Sequence, residues 1–177
     1  CQGVGFFFGE VLGDLENLAY LLKYDTMYGR STFTVDFKDN SLVIDGKEVS
    51  FVQEKEPAKL PWKDLNVDVV VESTGFFTTY EGSKMHLEAG AKRVVVSAPM
   101  KEGEIPSGIS GATVLMGVNH EALSTCQISS NASCTTNATS PLIAILKETI
   151  GIEKAVLNTV HAYTASQALV DGPSKKD

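Results

Sequence analysis

The chain has 177 residues, of which 43% are apolar, and its 22 acidic and 15 basic residues give a net charge of −7. This balance disfavours non-specific binding to nucleic acid or to an anionic membrane, so an anionic ligand must be bound locally. No apolar run approaches the roughly 20 residues that span a bilayer, and residues 1–8 lack the basic region of a signal peptide. We therefore expect a cytoplasmic protein.

Cys1, Cys126 and Cys134 are the three cysteines, and their spacing gives neither a disulfide framework nor a CxxC metal pair. We expect free thiols and no metal site. The chain begins with Cys and its last seven residues have a loop-like composition. Both ends are therefore expected to be truncated.

The first predicted elements are a helix and a small antiparallel meander. Asp14 is the expected N-cap of a helix that ends near Tyr24, because apolar residues recur after it at helical spacing. From Thr32 the pattern changes to alternation, with turns at residues 39–40 and 45–46 that separate three short strands. Phe33, Val35 and Phe37 are expected on one face of the first of these strands.

Strands and helices then alternate along the chain, which predicts an α/β fold with a parallel sheet. The run at residues 67–71 is almost wholly β-branched, as expected of a strand that is covered on both faces. The remaining predicted elements are a helix at 80–89, strands at 93–97, 114–118 and 127–129, a helix from Cys134 to about Thr149, and a strand at 152–160.

Cys134 is the main candidate for a nucleophile, since it follows a short predicted strand and opens a helix. Unpaired backbone N–H groups and the helix dipole stabilise a thiolate at such a position. The neighbouring hydroxyls of Ser133, Thr135 and Thr136 suit a phosphate or a tetrahedral oxyanion. For an isolated cysteine, the alternative is a small buried hydrophobe next to capping hydroxyls.

His161 is the candidate base, because the predicted helix and strand after Cys134 return the chain toward the starting edge of the helix. An imidazole there could stabilise the thiolate and later accept a proton. His86 falls in the middle of a predicted helix and His120 lies beside Asn119 at a predicted helix start, so both are interpreted as structural.

Several segments together resemble glyceraldehyde-3-phosphate dehydrogenase, and the resemblance extends over nearly the whole chain from Asp14. The motif SNASCTTN at residues 130–137 is followed by TVHAYT at 159–164 and VDGPS at 170–174. Further matching segments are LKYD at 22–25, VESTG at 71–75, KRVVVSAP at 92–99 and MGVNH at 116–120. The resemblance implies a Rossmann-like doubly wound sheet with the meander, incomplete here, followed by the start of an α+β catalytic domain.

The resemblance divides the chain into a partial NAD(P)-binding domain at 1–133 and the beginning of the catalytic domain at 134–177. It makes Cys134 the nucleophile and His161 the group that activates the thiol. Phosphate oxygens are then expected on Ser133, Thr135 and Thr164. The implied cofactor residues are Lys55 near the adenine, and Thr74, Gly75, Phe77 and Ser97 along the dinucleotide.

The implied reaction is the oxidative phosphorylation of glyceraldehyde 3-phosphate to 1,3-bisphosphoglycerate in glycolysis. Cys134 attacks the aldehyde, hydride passes to NAD or NADP, and inorganic phosphate cleaves the thioester. The resemblance further implies a homotetramer for the intact protein. It leaves open a related substrate such as erythrose 4-phosphate, and biosynthetic rather than glycolytic service.

The beginning and the end of the chain depart from the family pattern. Gly3, Gly5 and Gly9 give G-x-G-x-x-x-G, one residue longer than the dinucleotide fingerprint, and too few residues precede Asp14 for a βαβ unit. Val11 occupies the position of the ribose-binding acid. The family's remote arginine, threonine and asparagine ligands are not present before Asp177, so we expect little turnover by this chain alone. Because the sheet would lack its first strand, we also expect exposed strand edges.

Two other functions remain compatible with the residues. The first is a non-catalytic nucleotide-binding or interaction module. The second is a cysteine hydrolase or acyltransferase that uses Cys134 and His161, with Asn137 or Asn158 orienting the imidazole. The hydroxyl-rich surroundings of Cys134 and the α/β pattern favour the dehydrogenase.

Overall fold

The computed structural model describes residues 14–101, 103–164, 167, 169 and 170. The chain forms two compact units, Cys1–Lys55 with Val160–Asp177 and Glu56–Thr159. The interpretations of Gly3, Gly5, Gly9 and Val11, and of the motif that follows Val170, lie outside the described residues. Within these described ranges, no helix has the length and apolar content that crossing a membrane requires.

The first unit begins with helix α1, Leu15–Lys23, as predicted. Asp14 is its N-cap, because the Asp14 carboxylate accepts a hydrogen bond of 2.7 Å from the backbone N–H of Asn17. A tight hairpin of two short strands, β1 (Tyr24–Asp25) and β2 (Gly29–Arg30), follows the helix.

The predicted meander is confirmed as an antiparallel three-stranded sheet in the order β3-β4-β5. Its strands are Val35–Lys38, Ser41–Ile44 and Lys47–Ser50. The first strand starts at Val35, so Phe33 precedes it and is partly exposed, as is Phe37. A small core forms where α1 packs on the sheet, with Ala19, Val35, Leu42 and Val49 buried in it.

The second unit contains a four-stranded sheet in the order β6-β7-β9-β8, and every neighbouring pair of strands is parallel. Val94, Val96 and Ile128 form its core. This confirms the predicted α/β class with a partial Rossmann-like sheet. Its elements are β6 (Val69–Glu72), α2 (Tyr80–Glu88), β7 (Arg93–Val96), β8 (Gly111–Thr113), β9 (Ile128–Ser130) and α3 (Cys134–Thr149), with 3-10 helices at Pro57–Lys59 and His120–Ser124.

The predicted strand at 114–118 is wrong, because the strand lies three residues earlier. The amide of Val114 still donates to the carbonyl of Ser130 at 2.9 Å, but this is where the pairing with β9 ends. Asn119 then holds a turn by accepting from the amide of Leu115 at 2.8 Å. The sequence pattern missed β8 because glycine, here Gly111, has low strand propensity. The structure nevertheless requires a glycine at this position, since an added Cβ would lie 2.2 Å from the ring of Tyr80.

Two further expectations are corrected. Residues 152–160 form no strand, and each of them is exposed, because no described strand lies beside them to complete a ladder. Strand β6 is covered on one face only, since Val70 is buried whereas 49% of Val69 and 62% of Val71 are exposed. No described element of the second unit covers the other face.

Candidate active site

Cys134 lies at the first turn of α3, directly after the loop that leaves β9. Ser130, the last residue of that strand, is fully buried and donates to the carbonyl of Ala98 at 2.8 Å. The same hydroxyl accepts from the amide of Ala132 at 3.1 Å, and the amide of Asn131 donates to the carbonyl of Val96 at 2.9 Å. The loop is therefore attached to two neighbouring strand ends.

Ala132 adopts a left-handed backbone conformation with φ of +58°. This conformation is uncommon for a residue with a Cβ, and it persists where the surroundings determine it. It turns the backbone sharply between the buried end of β9 and the first residue of α3. The turn leaves Cys134 exposed at the helix N-terminus.

Ser133 is the N-cap of α3. Its hydroxyl oxygen accepts from the amide of Thr136 at 3.0 Å and lies 2.7 Å from the hydroxyl of Thr136. The side chain predicted to hold a phosphate oxygen thus satisfies one of the helix's unpaired amides. Thr135, the other predicted phosphate ligand in this turn, is half-buried.

Asn137 supports the same loop from inside the helix. The side-chain nitrogen Nδ2 of Asn137 donates to the carbonyl of Asn131 at 2.6 Å and to that of Ser133 at 2.9 Å. The amide is therefore engaged with the backbone of its own loop. This engagement disfavours the alternative in which Asn137 orients a catalytic histidine.

The two described cysteines occupy opposite environments. Cys126 is 5% exposed and lies just before β9, whereas Cys134 is exposed at the capped end of α3. Free cysteine is commonly a small buried hydrophobe, and Cys126 fits that description. Cys134 instead has the access and the helix N-terminus that favour a reactive thiolate.

His161 and Thr164 belong to the first unit and Cys134 to the second, so the predicted nucleophile–base pair stays a prediction. The Nδ1 atom of His161 lies 2.6 Å from the carbonyl oxygen of Ala162, which can only accept. In the neutral imidazole, Nδ1 then carries the proton and Nε2 has the lone pair that a base needs. The amide of Thr164 donates to the Gln167 side chain at 2.6 Å.

Thr74, Gly75 and Ser97 lie just beyond the carboxyl ends of the adjacent parallel strands β6 and β7. This is the edge at which doubly wound sheets bind nucleotides. Gly75 has φ of +79°, and a Cβ added there would meet no neighbour within 4 Å, so its backbone is open to a close approach. Ser97 is exposed, and its amide donates to the carbonyl of Glu72 at 2.9 Å.

The other two predicted cofactor residues differ in their surroundings. Phe77 is half-buried and its ring lies edge-on to the imidazole of His86, with 6.5 Å between the centroids. It therefore packs within the second unit. Lys55 is exposed and belongs to the first unit, so its proposed place near the adenine stays a prediction.

A buried network of side chains lies beneath the Thr74–Gly75 turn. The indole N–H of Trp62 donates to Nδ1 of His86 at 3.1 Å, and Nε2 of His86 lies 2.9 Å from Oε2 of Glu72. Oε1 of Glu72 accepts from the amide of Thr74 at 2.7 Å and from its hydroxyl at 2.5 Å. We call these four residues the Glu72 network.

The donors in the Glu72 network determine its protonation. Because an indole N–H can only donate, Nδ1 of His86 must be the acceptor, so the imidazole is neutral and its Nε2–H donates to Glu72. Burial opposes the charge on Glu72, but hydrogen bonds from His86 and Thr74 outweigh that effect and hold the pKa of the carboxyl below its usual value of 4.5.

The structural interpretation of His86 is consistent with its 4% exposure, but the sequence did not identify its partners. The sequence signal that could have indicated the network is Glu72 itself, a carboxylate at the end of a strand and two residues before Thr74 in a turn. His120 lies in a 3-10 helix, and its ring is 4.0 Å from the carboxylate of Glu121.

Comparison with known proteins agrees with the resemblance in the sequence. Residues 9–80 match the family model of the glyceraldehyde 3-phosphate dehydrogenase NAD binding domain, and residues 133–177 match that of the C-terminal domain. Together these two ranges cover more than half of the chain.

Curated relatives from distant organisms show the same similarity. Glyceraldehyde-3-phosphate dehydrogenase 1 of Trichormus variabilis is 49% identical over 92% of this chain and 46% of its own length. The enzyme of Chlamydia muridarum is 48% identical over 94% of this chain and 48% of its own length. The corresponding values for glyceraldehyde-3-phosphate dehydrogenase 1 of Schizosaccharomyces pombe are 46%, 93% and 47%. The chain thus spans about half the length of the curated relatives it matches, and it belongs to the glyceraldehyde-3-phosphate dehydrogenase family.

Proposed function

We propose that this chain carries the nucleophile of a phosphorylating, NAD(P)-dependent glyceraldehyde-3-phosphate dehydrogenase that acts in glycolysis. The observation that carries the proposal is the exposed Cys134 at the capped N-terminus of α3, on a loop attached to two strand ends. In this proposal, residues 1–133 are the partial NAD(P)-binding domain and residues 134–177 begin the catalytic domain.

Cys134 would act first, by adding its thiolate to the aldehyde carbon. Amide N–H groups at the start of α3 favour both the thiolate and the oxyanion that forms. His161 accepts the proton of the resulting hemithioacetal hydroxyl through Nε2, because Nδ1 is the donor to Ala162. Loss of hydride from the same carbon to a bound nicotinamide would leave a thioester, from which inorganic phosphate displaces the Cys134 thiolate to give the acyl phosphate.

The cofactor, when bound, supplies the hydride acceptor. Gly75 and Ser97 fit a dinucleotide because both are exposed at the carboxyl edge of parallel strands, and the half-buried Thr74 adjoins Gly75 there. Phe77 and Lys55 complete the proposed set. NAD is the proposed form, and NADP is the alternative, since Val11 provides no carboxylate for the ribose.

Ser133, Thr135 and Thr164 are the proposed phosphate contacts. Because the Ser133 side chain caps α3, we propose that this turn binds an oxyanion through its backbone amides as well as through hydroxyls. Glyceraldehyde 3-phosphate and inorganic phosphate are the proposed substrates, and the intact protein is proposed to be a cytoplasmic homotetramer.

Acyl transfer from 1,3-bisphosphoglycerate tests the nucleophile without any cofactor. The Cys134 thiolate should attack the acyl carbon, the bond to the phosphate oxygen should break, and inorganic phosphate should leave. Peptide mass spectrometry should find the 3-phosphoglyceryl group on Cys134. The Cys126→Ser variant should still be acylated and Cys134→Ser should not. Acylation of neither thiol, or of Cys126 alone, would contradict the proposal.

Turnover by these 177 residues alone is expected to be very low, because they span about half the length of the curated relatives. The measurement is NADH absorbance in the presence of glyceraldehyde 3-phosphate and inorganic phosphate. Rapid NADH formation would show that these residues suffice for catalysis.

A further inference from the structure

We propose that Trp62, His86 and Glu72 are positioning residues that fix the Thr74–Gly75 turn for dinucleotide binding. The inference rests on the proposed function, which places this turn on the cofactor. It adds three residues that are not expected to touch the cofactor themselves, and two of them, Trp62 and His86, lie outside the segments that resemble the family.

The hydrogen bonds form a continuous series from the interior of the second unit to the edge of the sheet. Trp62 is 3% exposed, His86 is 4% exposed and Glu72 is 3% exposed. Each group has one arrangement of protons that satisfies its neighbours, since the indole donates, the neutral imidazole accepts and donates, and the carboxylate accepts. Rotation of any one of them would break a hydrogen bond in a buried site, which is costly.

The last member of the network is the turn itself. Both the amide and the hydroxyl of Thr74 donate to Oε1 of Glu72, and the Thr74 hydroxyl oxygen accepts from the amide of Phe76 at 3.1 Å. The buried carboxylate thus holds one amide and one hydroxyl of the turn directly, and that hydroxyl holds a second amide. Gly75 lies between them with φ of +79°, a conformation that glycine adopts without steric cost.

A fixed turn lowers the entropic cost of binding, because its groups need no ordering when a ligand arrives. The carboxylate also carries a negative charge close to the edge where the dinucleotide's phosphates are expected. A charge placed there to bind the ligand directly would repel it. The hydrogen bonds from His86 and Thr74 instead engage both of its oxygens within the protein, which fits a role in holding the turn.

The test compares variants of the full chain by calorimetric titration with NAD and by hydrogen exchange. Glu72→Gln keeps the shape of the side chain but replaces one acceptor oxygen by an NH2 group. That donor faces either the Nε2–H of His86 or the donors of Thr74, so a hydrogen bond is lost. We expect it to weaken NAD binding roughly tenfold and to speed exchange at the amides of Thr74 and Phe76. Ile128→Val, a buried change in the core outside the network, should alter neither.

A second pair of variants keeps the test independent of whether Glu72→Gln folds. His86→Gln retains an N–H donor for Glu72, whereas His86→Leu fills a similar volume without one. We expect His86→Leu to weaken binding roughly tenfold and His86→Gln less than about threefold. A role in packing alone would give the two variants equal affinity.

The outcomes separate the two proposals. Equal NAD affinity in the wild-type chain, Glu72→Gln and His86→Leu would overturn the positioning role and leave the cofactor proposal in place. No saturable binding by the wild-type chain would overturn the cofactor proposal and this inference with it. Weaker binding with faster exchange confined to the turn would support both.

Discussion

The second unit contains two regions that differ in how completely their side chains are buried and hydrogen-bonded. Around the Glu72 network, each buried polar atom that defines the turn has a partner in the same unit. Along residues 134–159, by contrast, no residue is buried, and Ile145, Ile150 and Val156 expose more than half of their surface. The first region is a closed site and the second is an uncovered apolar surface.

The difference shows that the position of Cys134 does not depend on burial of its helix. The N-terminus of α3 is determined by Ser133, Asn137 and the attachment of the loop to Ser130, all within about one helical turn of Cys134. The flank of the helix remains uncovered. Local capping can therefore present a thiol correctly even where the rest of the helix has few tertiary contacts.

The largest expected effect is a difference between the two regions in how much unfolding free energy a truncated side chain costs. Ile128→Ala removes a fully buried side chain from the parallel sheet and should lower the free energy of unfolding by about 2–5 kcal/mol. Ile145→Ala on the exposed flank of α3 should change it by less than about 0.5 kcal/mol. Urea denaturation measures both. Equal losses would mean that the flank of α3 is covered in solution.

A smaller effect is expected from the helix cap. Ser133→Ala should lower the free energy of unfolding by about 1 kcal/mol, because the Thr136 amide loses its partner. It should also slow alkylation of Cys134, because a less ordered first turn of α3 holds its amides less well against the thiolate. Thr79→Ala removes the corresponding cap of α2, where the hydroxyl accepts from Gly82 at 3.1 Å. This matched variant should cost similar stability and leave alkylation unchanged. Slower alkylation in both variants would point to global loosening.

The smallest effect is confined to acidic solution. The pKa of Glu72 is lower in the folded chain than its usual 4.5, so the stability it contributes is complete above that value and is lost as the pH falls through the folded pKa. The free energy of unfolding should therefore fall more steeply with acidification in the wild-type chain than in Glu72→Gln. Parallel pH profiles of the two proteins would contradict the network's charge assignment.

The helices could be predicted because their signals are local. Asp14 caps α1 as predicted, and α3 begins at Cys134 as predicted. Capping of α3 by Ser133 was only the alternative to its proposed contact with phosphate. The meander was predictable for the same reason, since its turns at residues 39–40 and 45–46 follow directly from the sequence.

The remaining features depend on partners that are distant in sequence. β8 lies at Gly111–Thr113 because β9 sets its register, and residues 152–160 have the composition of a strand without a described strand to pair with. The link between Trp62 and His86 spans 24 residues, and no local pattern encodes it. Cys134 was identified by its motif, whereas the residues proposed to position the cofactor turn required the structure.

The pH dependence of alkylation tests the central claim, that Cys134 is an activated nucleophile. Iodoacetamide labelling is followed at Cys134 by peptide mass spectrometry between about pH 6 and about pH 9, in the folded chain and in concentrated urea. An ordinary cysteine thiol has a pKa of about 8.5, and the unfolded chain in urea supplies that reference. We predict that labelling of folded Cys134 rises at clearly lower pH than in urea. The same midpoint in both states would contradict the account.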